Sequence, residues 1–268
     1  MTPRKGQRLL GRIALVTGAS RGLGAAIAKR FAAEGAHLIL VARTQGGLEE
    51  LDDEVRAAGG AAPTLLPLDL REFDKIDRMG AAIHERFGRL DVLVGNAAVL
   101  GTLSPLSHVE PKVWDEVVAT NLTANWRLIR SLDPLLRKSE AGRAIFVTCT
   151  AARDLAPYWG AYAASKAALE AMVRIYASEL AITKATANLV DPGILATRLR
   201  ARGFPAEDKS KLRQPKEATE PFVALAEAGS QANGEIFALT ASAAPHRDSP
   251  PSSASSGSAR REGRSPRA

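Results

Sequence analysis

The stretch Ile13-Ala14-Leu15-Val16-Thr17-Gly18-Ala19-Ser20-Arg21-Gly22-Leu23-Gly24 decides the fold. A short apolar run, the length of a buried strand, passes directly into three glycines and then into an Ala-rich segment that reads as a helix. Gly18 permits a tight turn, Gly22 lets backbone approach a pyrophosphate, and Gly24 lets the helix pack near the sheet, so that the helix N-terminus faces the anion. The spacing is G-x-x-x-G-x-G rather than G-x-G-x-x-G, and a glycine cluster alone also serves an ordinary strand-to-helix turn. The strand before it and the helix after it favour a nucleotide.

Working outward, further apolar runs at 37–41, 64–68, 92–94, 144–147 and 187–190 read as strands after the first at 13–16, with a last one at 234–239. Helical segments alternate with them at 22–34, 48–58, 73–87, 111–136 and 161–180. Such alternation means parallel strands joined by right-handed crossovers, a doubly wound α/β sheet with helices on both faces. It occupies one domain, 12–240. A short basic arm, 1–11, precedes it. The tail, 241–268, is expected to be disordered, because 12 of its 28 residues are Ser or Pro and its only apolar side chains are alanines.

Composition narrows the function. With 46% apolar and 24% charged residues the chain is neither fibrous nor wholly disordered. No run of about 18 apolar residues exists, which argues against a membrane helix, and residues 1–11 lack a secretory apolar stretch, so the cytoplasm is the expected location. One cysteine excludes an internal disulfide and a Cys-based zinc site, and His37, His84, His108 and His246 show no ligand spacing, so no metal is expected. Of the net charge of +7, the tail carries +3 and the preceding 240 residues +4, spread widely. Without a Lys/Arg block or interleaved aromatics this reads as a solvated surface and not a nucleic-acid footprint.

Two further features carry chemistry. The second strand ends in Val41-Ala42-Arg43, with no acid to bind the ribose hydroxyls of NAD. Arg43, with Arg21 in the glycine turn, suits the 2′-phosphate of NADP; otherwise Arg43 is a solvated loop residue. Tyr162 and Lys166 stand at i,i+4 on one helix face. A phenol has a pKa near 10, and a cation held close lowers it, fitting the phenol for proton exchange with an alcohol or carbonyl oxygen. Alone, Y-x-x-x-K is a common accident of helices.

Taken together, T-G-A-S-R-G-L-G, Asp69 after the third strand, Gly95-Asn96-Ala97-Ala98 after the fourth, Asn121, the Tyr162/Lys166 pair, and Pro192-Gly193 with Thr197 resemble the classical short-chain dehydrogenase/reductases over roughly residues 10 to 240. The resemblance implies a Rossmann-type domain that transfers hydride between a nicotinamide, NADPH preferred and NAD possible, and a small carbonyl or alcohol substrate. It implies Tyr162 as acid/base and Lys166 as the residue that holds the nicotinamide ribose and lowers the tyrosine pKa. Asn121 would keep a relay water. Gly18, Ser20, Arg21, Gly22, Leu23, Gly24, Arg43, Asp69, Leu70 and Asn96 to Ala98 would bind the cofactor's adenosine and phosphate side. Pro192, Gly193, Ile194 and Thr197 would hold its nicotinamide end. The alternatives are that Asp69 caps a helix, Asn121 satisfies buried backbone and Pro192-Gly193 is a plain turn. The resemblance also implies a homodimer or homotetramer paired through 111–136 and 162–180.

Three departures stand out. The family's Asn-Asn-Ala-Gly is Gly95-Asn96-Ala97-Ala98, where a methyl on Ala98 would crowd the cofactor if that backbone approaches it or takes positive φ. Cys149 stands thirteen residues before Tyr162, where the family places a serine that hydrogen-bonds the substrate oxygen. A thiol is a weaker donor, so catalysis should suffer, and the chain is then a slow enzyme or a dinucleotide-binding sensor or structural partner. The segment 199–218 is short and polar, with Trp159, Phe204 and Leu100 as the apolar surface available to a substrate.

Overall fold

The computed structural model describes residues 7–239. Within them, strands β1 (Ile13–Thr17), β2 (His37–Ala42), β3 (Thr64–Pro67), β4 (Val92–Gly95), β5 (Arg143–Val147), β6 (Thr186–Asp191) and β7 (Ile236–Ala238) form one parallel sheet in the order β3-β2-β1-β4-β5-β6-β7. Alternating side chains divide between two cores, as the two-residue strand period requires. Leu15 joins one, and Ala14 and Val16 join the other. Helices α1 (Gly22–Ala33), α2 (Gln45–Ala57) and α9 (Glu220–Ala226) cover one face. Helices α3 (Phe73–Phe87), α5 (Ala124–Lys138) and α7 (Gly160–Glu179) cover the other. The doubly wound α/β expectation holds, with the strand order reversing between β1 and β4, the place where open parallel sheets bind ligands.

The helix expected at 111–136 is interrupted. Helix α4 (Pro111–Val118) passes through a π turn, Ala119–Thr123, before α5, which runs on through Pro134. The apolar period continues across the turn, so the sequence pattern does not show it. β5 starts one residue before its apolar run because Arg143 is buried, its guanidinium donating to the carbonyls of Gly142, Lys184, Ala228 and Ser230 at 2.7–3.0 Å.

Residues 7–11 pack on the domain. Leu9 is buried, and Arg8 pairs with Glu220 and Glu227. Residues 1–6 and 240–268, including the tail expected to be disordered, lie outside the described residues. Among the described residues no helix is long and apolar enough to cross a membrane, and no group of three His, Cys, Asp or Glu side chains could hold a metal ion.

Candidate active site

A cleft of about 1560 Å³ opens along the carboxyl ends of the strands. At its adenosine end the chain leaves β1 through Gly18, whose φ of +64° is the left-handed conformation that favours glycine. A Cβ on Gly24 would lie 2.3 Å from the Gly18 carbonyl oxygen and 2.6 Å from Asn96 Nδ2, so α1 approaches the turn only because no side chain intervenes. Asn96 locks the turn from β4, its Nδ2 donating to the Thr17 carbonyl at 2.8 Å while its backbone N–H donates to Thr17 Oγ1 at 3.0 Å. Gly18, Ser20, Arg21, Gly22, Leu23, Arg43, Asp69, Leu70 and Asn96 to Ala98 line this end. The Asp69 carboxylate is engaged by Arg71 at 2.7 Å, which holds its pKa below the ordinary carboxylate value. It does not cap a helix.

The first departure is accommodated. Ala98 is not among the residues with positive φ, so the expected backbone crowding does not arise from its conformation. At Gly95 a Cβ would lie 2.4 Å from Phe146 Cδ1 and 2.7 Å from Asn125 Oδ1, so the space the family gives to asparagine is taken by these two side chains.

The residues expected to carry chemistry meet where β5 ends. Val147, Thr148, Cys149, Thr150, Tyr162 and Lys166 line the cleft there. Strand alternation stops at Thr148, because the chain turns into the short helix α6 (Ala151–Asp154). Thr148 cannot stand in for the missing serine: its hydroxyl donates to Glu170 Oε1 at 2.6 Å. Cys149 lines the cleft together with Tyr162, and burial pushes the thiol's pKa up, which disfavours the thiolate that a nucleophilic cysteine needs.

Tyr162 differs from its expectation. Lys166 Nζ donates to the Val147 carbonyl at 2.7 Å and lies 5.9 Å from the centre of the Tyr162 ring. Helical spacing brings the two side chains together, but the nearly complete burial of the phenol decides its pKa. That burial, with Cys149 and Asp191 nearby, pushes the value well above the ordinary one, instead of lowering it as the spacing alone suggested. Burial also lowers the pKa of Lys166, against the pull of Cys149, Glu170 and Asp191.

Asn121 lies behind the cleft, fully buried in the π turn. Its Oδ1 accepts from the Val99 N–H at 2.9 Å, and its Nδ2 donates to the Val99 carbonyl at 2.9 Å and to Ser165 Oγ at 3.0 Å. The amide is therefore taken up within the protein, and it ties the loop after β4 to α7. The side chain satisfies buried backbone, a role that does not exclude the relay-water expectation.

Sequence reasoning missed a charged cluster behind the catalytic pair. Arg153, on α6, pairs with Glu170 and, at 2.5 Å, with Asp191, whose carboxylates are buried. Asp191 also accepts from the Gly193 N–H at 3.0 Å, shaping the Pro192-Gly193 turn. The signals were Glu170 four residues after Lys166 and Asp191 directly before Pro192. Pro192, Gly193, Ile194 and Thr197 line the same cleft, and the Thr197 side chain caps α8 (Arg198–Gly203), accepting from the Arg200 N–H. The aromatic wall expected from Trp159 and Phe204 is present: the Trp159 ring lies 6.0 Å from Tyr162 and 5.9 Å from Phe204, centre to centre.

Comparison with known proteins agrees with this architecture. The model of the short chain dehydrogenase family matches residues 12–208. The uncharacterized oxidoreductase YciK of Escherichia coli K12 is 37% identical over 206 residues, which is 76% of this chain and 81% of YciK. An uncharacterized NAD-dependent oxidoreductase of Mycobacterium tuberculosis is 35% identical over 201 residues, 70% of this chain and 73% of that protein. A short chain dehydrogenase of Escherichia coli CFT073, solved in complex with NADPH, superposes with a TM-score of 0.84 at 34% identity, covering 88% of this chain and 99% of the other. The family match over most of the folded domain, the parallel sheet and these relatives give one conclusion: the chain belongs to the short chain dehydrogenase family of oxidoreductases.

Proposed function

We propose that the protein is an NADP-preferring reductase of carbonyl compounds, with Tyr162 as the proton donor. The observation that carries this reading is the single cleft that holds the glycine turn, Arg21, Arg43 and the Tyr162/Lys166 pair together. The residues fit a dinucleotide. Side-chain-free backbone at the β1–α1 turn faces the N-terminus of α1, where phosphate is favoured, and Arg21 and Arg43 flank the adenosine end with no acid in the position that selects NAD. NADPH in the similar structure from Escherichia coli CFT073 supports the same preference, and the NAD-dependent relative marks NAD as the alternative.

The bound cofactor would supply hydride to the carbonyl carbon. Tyr162 gives its proton to the carbonyl oxygen, although burial raises its pKa and so makes the phenol a weaker acid, a cost that the nearby Lys166 cation works against. Lys166, beside the ring, stabilises the phenolate that remains until solvent returns the proton. Cys149 takes the substrate-facing place with a weak donor, which favours slow turnover and keeps a second reading in play, a dinucleotide binder with little catalysis.

The test is loss of reduced-nicotinamide absorbance with NADPH and a carbonyl panel. Tyr162→Phe should lower turnover roughly a hundredfold or more while cofactor titration is unchanged. Full activity of that variant sinks the mechanism. We further propose a cytoplasmic location and a homodimer or homotetramer through α4, α5 and α7. Trp114, Trp126 and Ile175, 38%, 46% and 62% exposed on these helices, support the association, and molecular mass in solution tests it.

A further inference from the structure

The charge of the folded domain is not spread in the way its composition suggested. Residues 198–213 hold Arg198, Arg200, Arg202, Lys209, Lys211 and Arg213 against Glu207 and Asp208, a net +4 that equals the charge of the whole first 240 residues. This segment is the one that passes over the catalytic end of the cleft. Its three arginines on α8 all line the cleft, and they differ in what holds them. Arg200 is occupied: it pairs with Glu207 at 2.6 Å and lies 3.6 Å over the Phe204 ring. Arg198 and Arg202, one helical turn apart, have no hydrogen-bond or ion-pair partner among the described residues. Of the four acids that line the cleft, Asp69, Asp191 and Glu207 are engaged by Arg71, Arg153 and Arg200, and Asp154 forms no ion pair with Arg198 or Arg202.

The cleft therefore has two separate pairs of cations. Arg21 and Arg43 stand at the adenosine end, where the reading above gives them the 2′-phosphate. Arg198 and Arg202 stand on α8, on another part of the cleft wall. Arg202 is the cleaner of the two. Arg198 follows Thr197, whose Cγ2 is 3.6 Å from where a Cβ on Gly22 would sit, so it stands near the phosphate turn. Arg202 precedes Gly203, which packs 3.2 Å from Leu100 Cδ2 when given a Cβ, and so it belongs to the substrate wall. Phe204, two residues after Arg202, continues through Trp159 to Tyr162, ring beside ring, along the same cleft.

We propose that Arg202 binds the anionic end of the substrate, which is a carbonyl compound with a carboxylate or phosphate separated from the carbonyl by an apolar spacer that lies along Trp159 and Phe204. This rests on the hydride-transfer reading for the carbonyl and on the cleft alone for the anion. A guanidinium without an acidic partner on the cleft wall gives a carboxylate a charge-assisted, bidentate partner that a neutral ester lacks.

The experiment uses the full chain, NADPH and ω-oxo carboxylates of increasing length, each beside its methyl ester. The parent should favour acid over ester by about tenfold or more in kcat/KM at the best length, and Arg202→Gln should bring that ratio close to one. A parent ratio near one, or a ratio that survives in R202Q, overturns the proposal while leaving hydride transfer standing. The two readings are separated by a second readout, quenching of tryptophan fluorescence by an ω-hydroxy carboxylate in the presence of NADP. Quenching in the parent that is lost in R202Q, with no turnover of any carbonyl, removes hydride transfer and keeps the anion site. If R202Q instead weakens NADPH binding by the same factor in the absence of substrate, Arg202 serves the cofactor and the proposal fails.

Discussion

At the adenosine end of the cleft the chain leaves things out: no side chain at Gly18, Gly22 or Gly24, and a turn held by Asn96 and Thr17 through short neutral hydrogen bonds. At the catalytic end it packs things in. Arg153, Glu170, Asp191 and Lys166 crowd charge behind the site, and the segment that carries Arg153 takes positive φ at Leu155 (50°) and Tyr158 (73°), where β-carbons are unwelcome. Absence of atoms tolerates no addition, whereas a charged network tolerates no subtraction. The adenosine end should therefore break on gain of a methyl, and the catalytic end on loss of a partner.

Gly24→Ala is the sharpest break of the first kind. Its Cβ would enter the backbone of the turn at the Gly18 carbonyl and meet Asn96 Nδ2, a side-chain end held by its hydrogen bond to the Thr17 carbonyl. We expect about 3 kcal/mol of destabilisation with loss of NADPH binding, read by thermal unfolding and cofactor titration. Arg153→Gln is its counterpart. It leaves the Glu170 and Asp191 carboxylates without their cation, and because Arg153 itself is partly exposed the expected loss is about 2 kcal/mol, below that of a fully buried pair. Turnover should fall more than cofactor affinity. An equal fall in both would mean that the network serves the fold as a whole and not the catalytic end.

Cys149→Ser tests function at the point where the two halves meet the substrate. A hydroxyl in place of the thiol should raise turnover about tenfold, worth about 1.4 kcal/mol of barrier. Unchanged or lower turnover means the thiol suits its place. The parent's thiol also gives a pH signature. Its pKa is raised by burial, so the reactive thiolate is scarce at neutral pH, and alkylation by iodoacetamide should be slow at pH 7 and climb past pH 9. Smallest of all is Leu155→Gly. Relief of the left-handed conformation at this exposed position should raise stability by about 1 kcal/mol, visible as a higher Tm.

The same contrast explains what the sequence disclosed. Glycine spacing, apolar runs and the Tyr162/Lys166 interval are local and periodic, and they led to the sheet, its two helical layers and the residues that line the cleft. Arg153 meets Glu170 and Asp191 across 17 and 38 residues, and no period links an arginine to acids so far along the chain. Leu155 and Tyr158 hide their positive φ because that conformation is usually announced by glycine or asparagine. The phenol's raised pKa was hidden for another reason: spacing tells which groups are close, and burial, which depends on the entire fold, decides which of them carries charge.

The π turn at Ala119–Thr123 has a genetic meaning. Such a turn holds one residue more than an α turn, and the surplus is what a continuous helix must absorb when a single codon is inserted. Removing one codon there would let α4 and α5 join in a regular helix with the faces of both largely kept, but the residues of the turn itself would shift. Asn121 would leave Val99 and Ser165, and the tie between the loop after β4 and α7 would be lost with it. A one-residue deletion here would therefore cost this tie before it cost the helix.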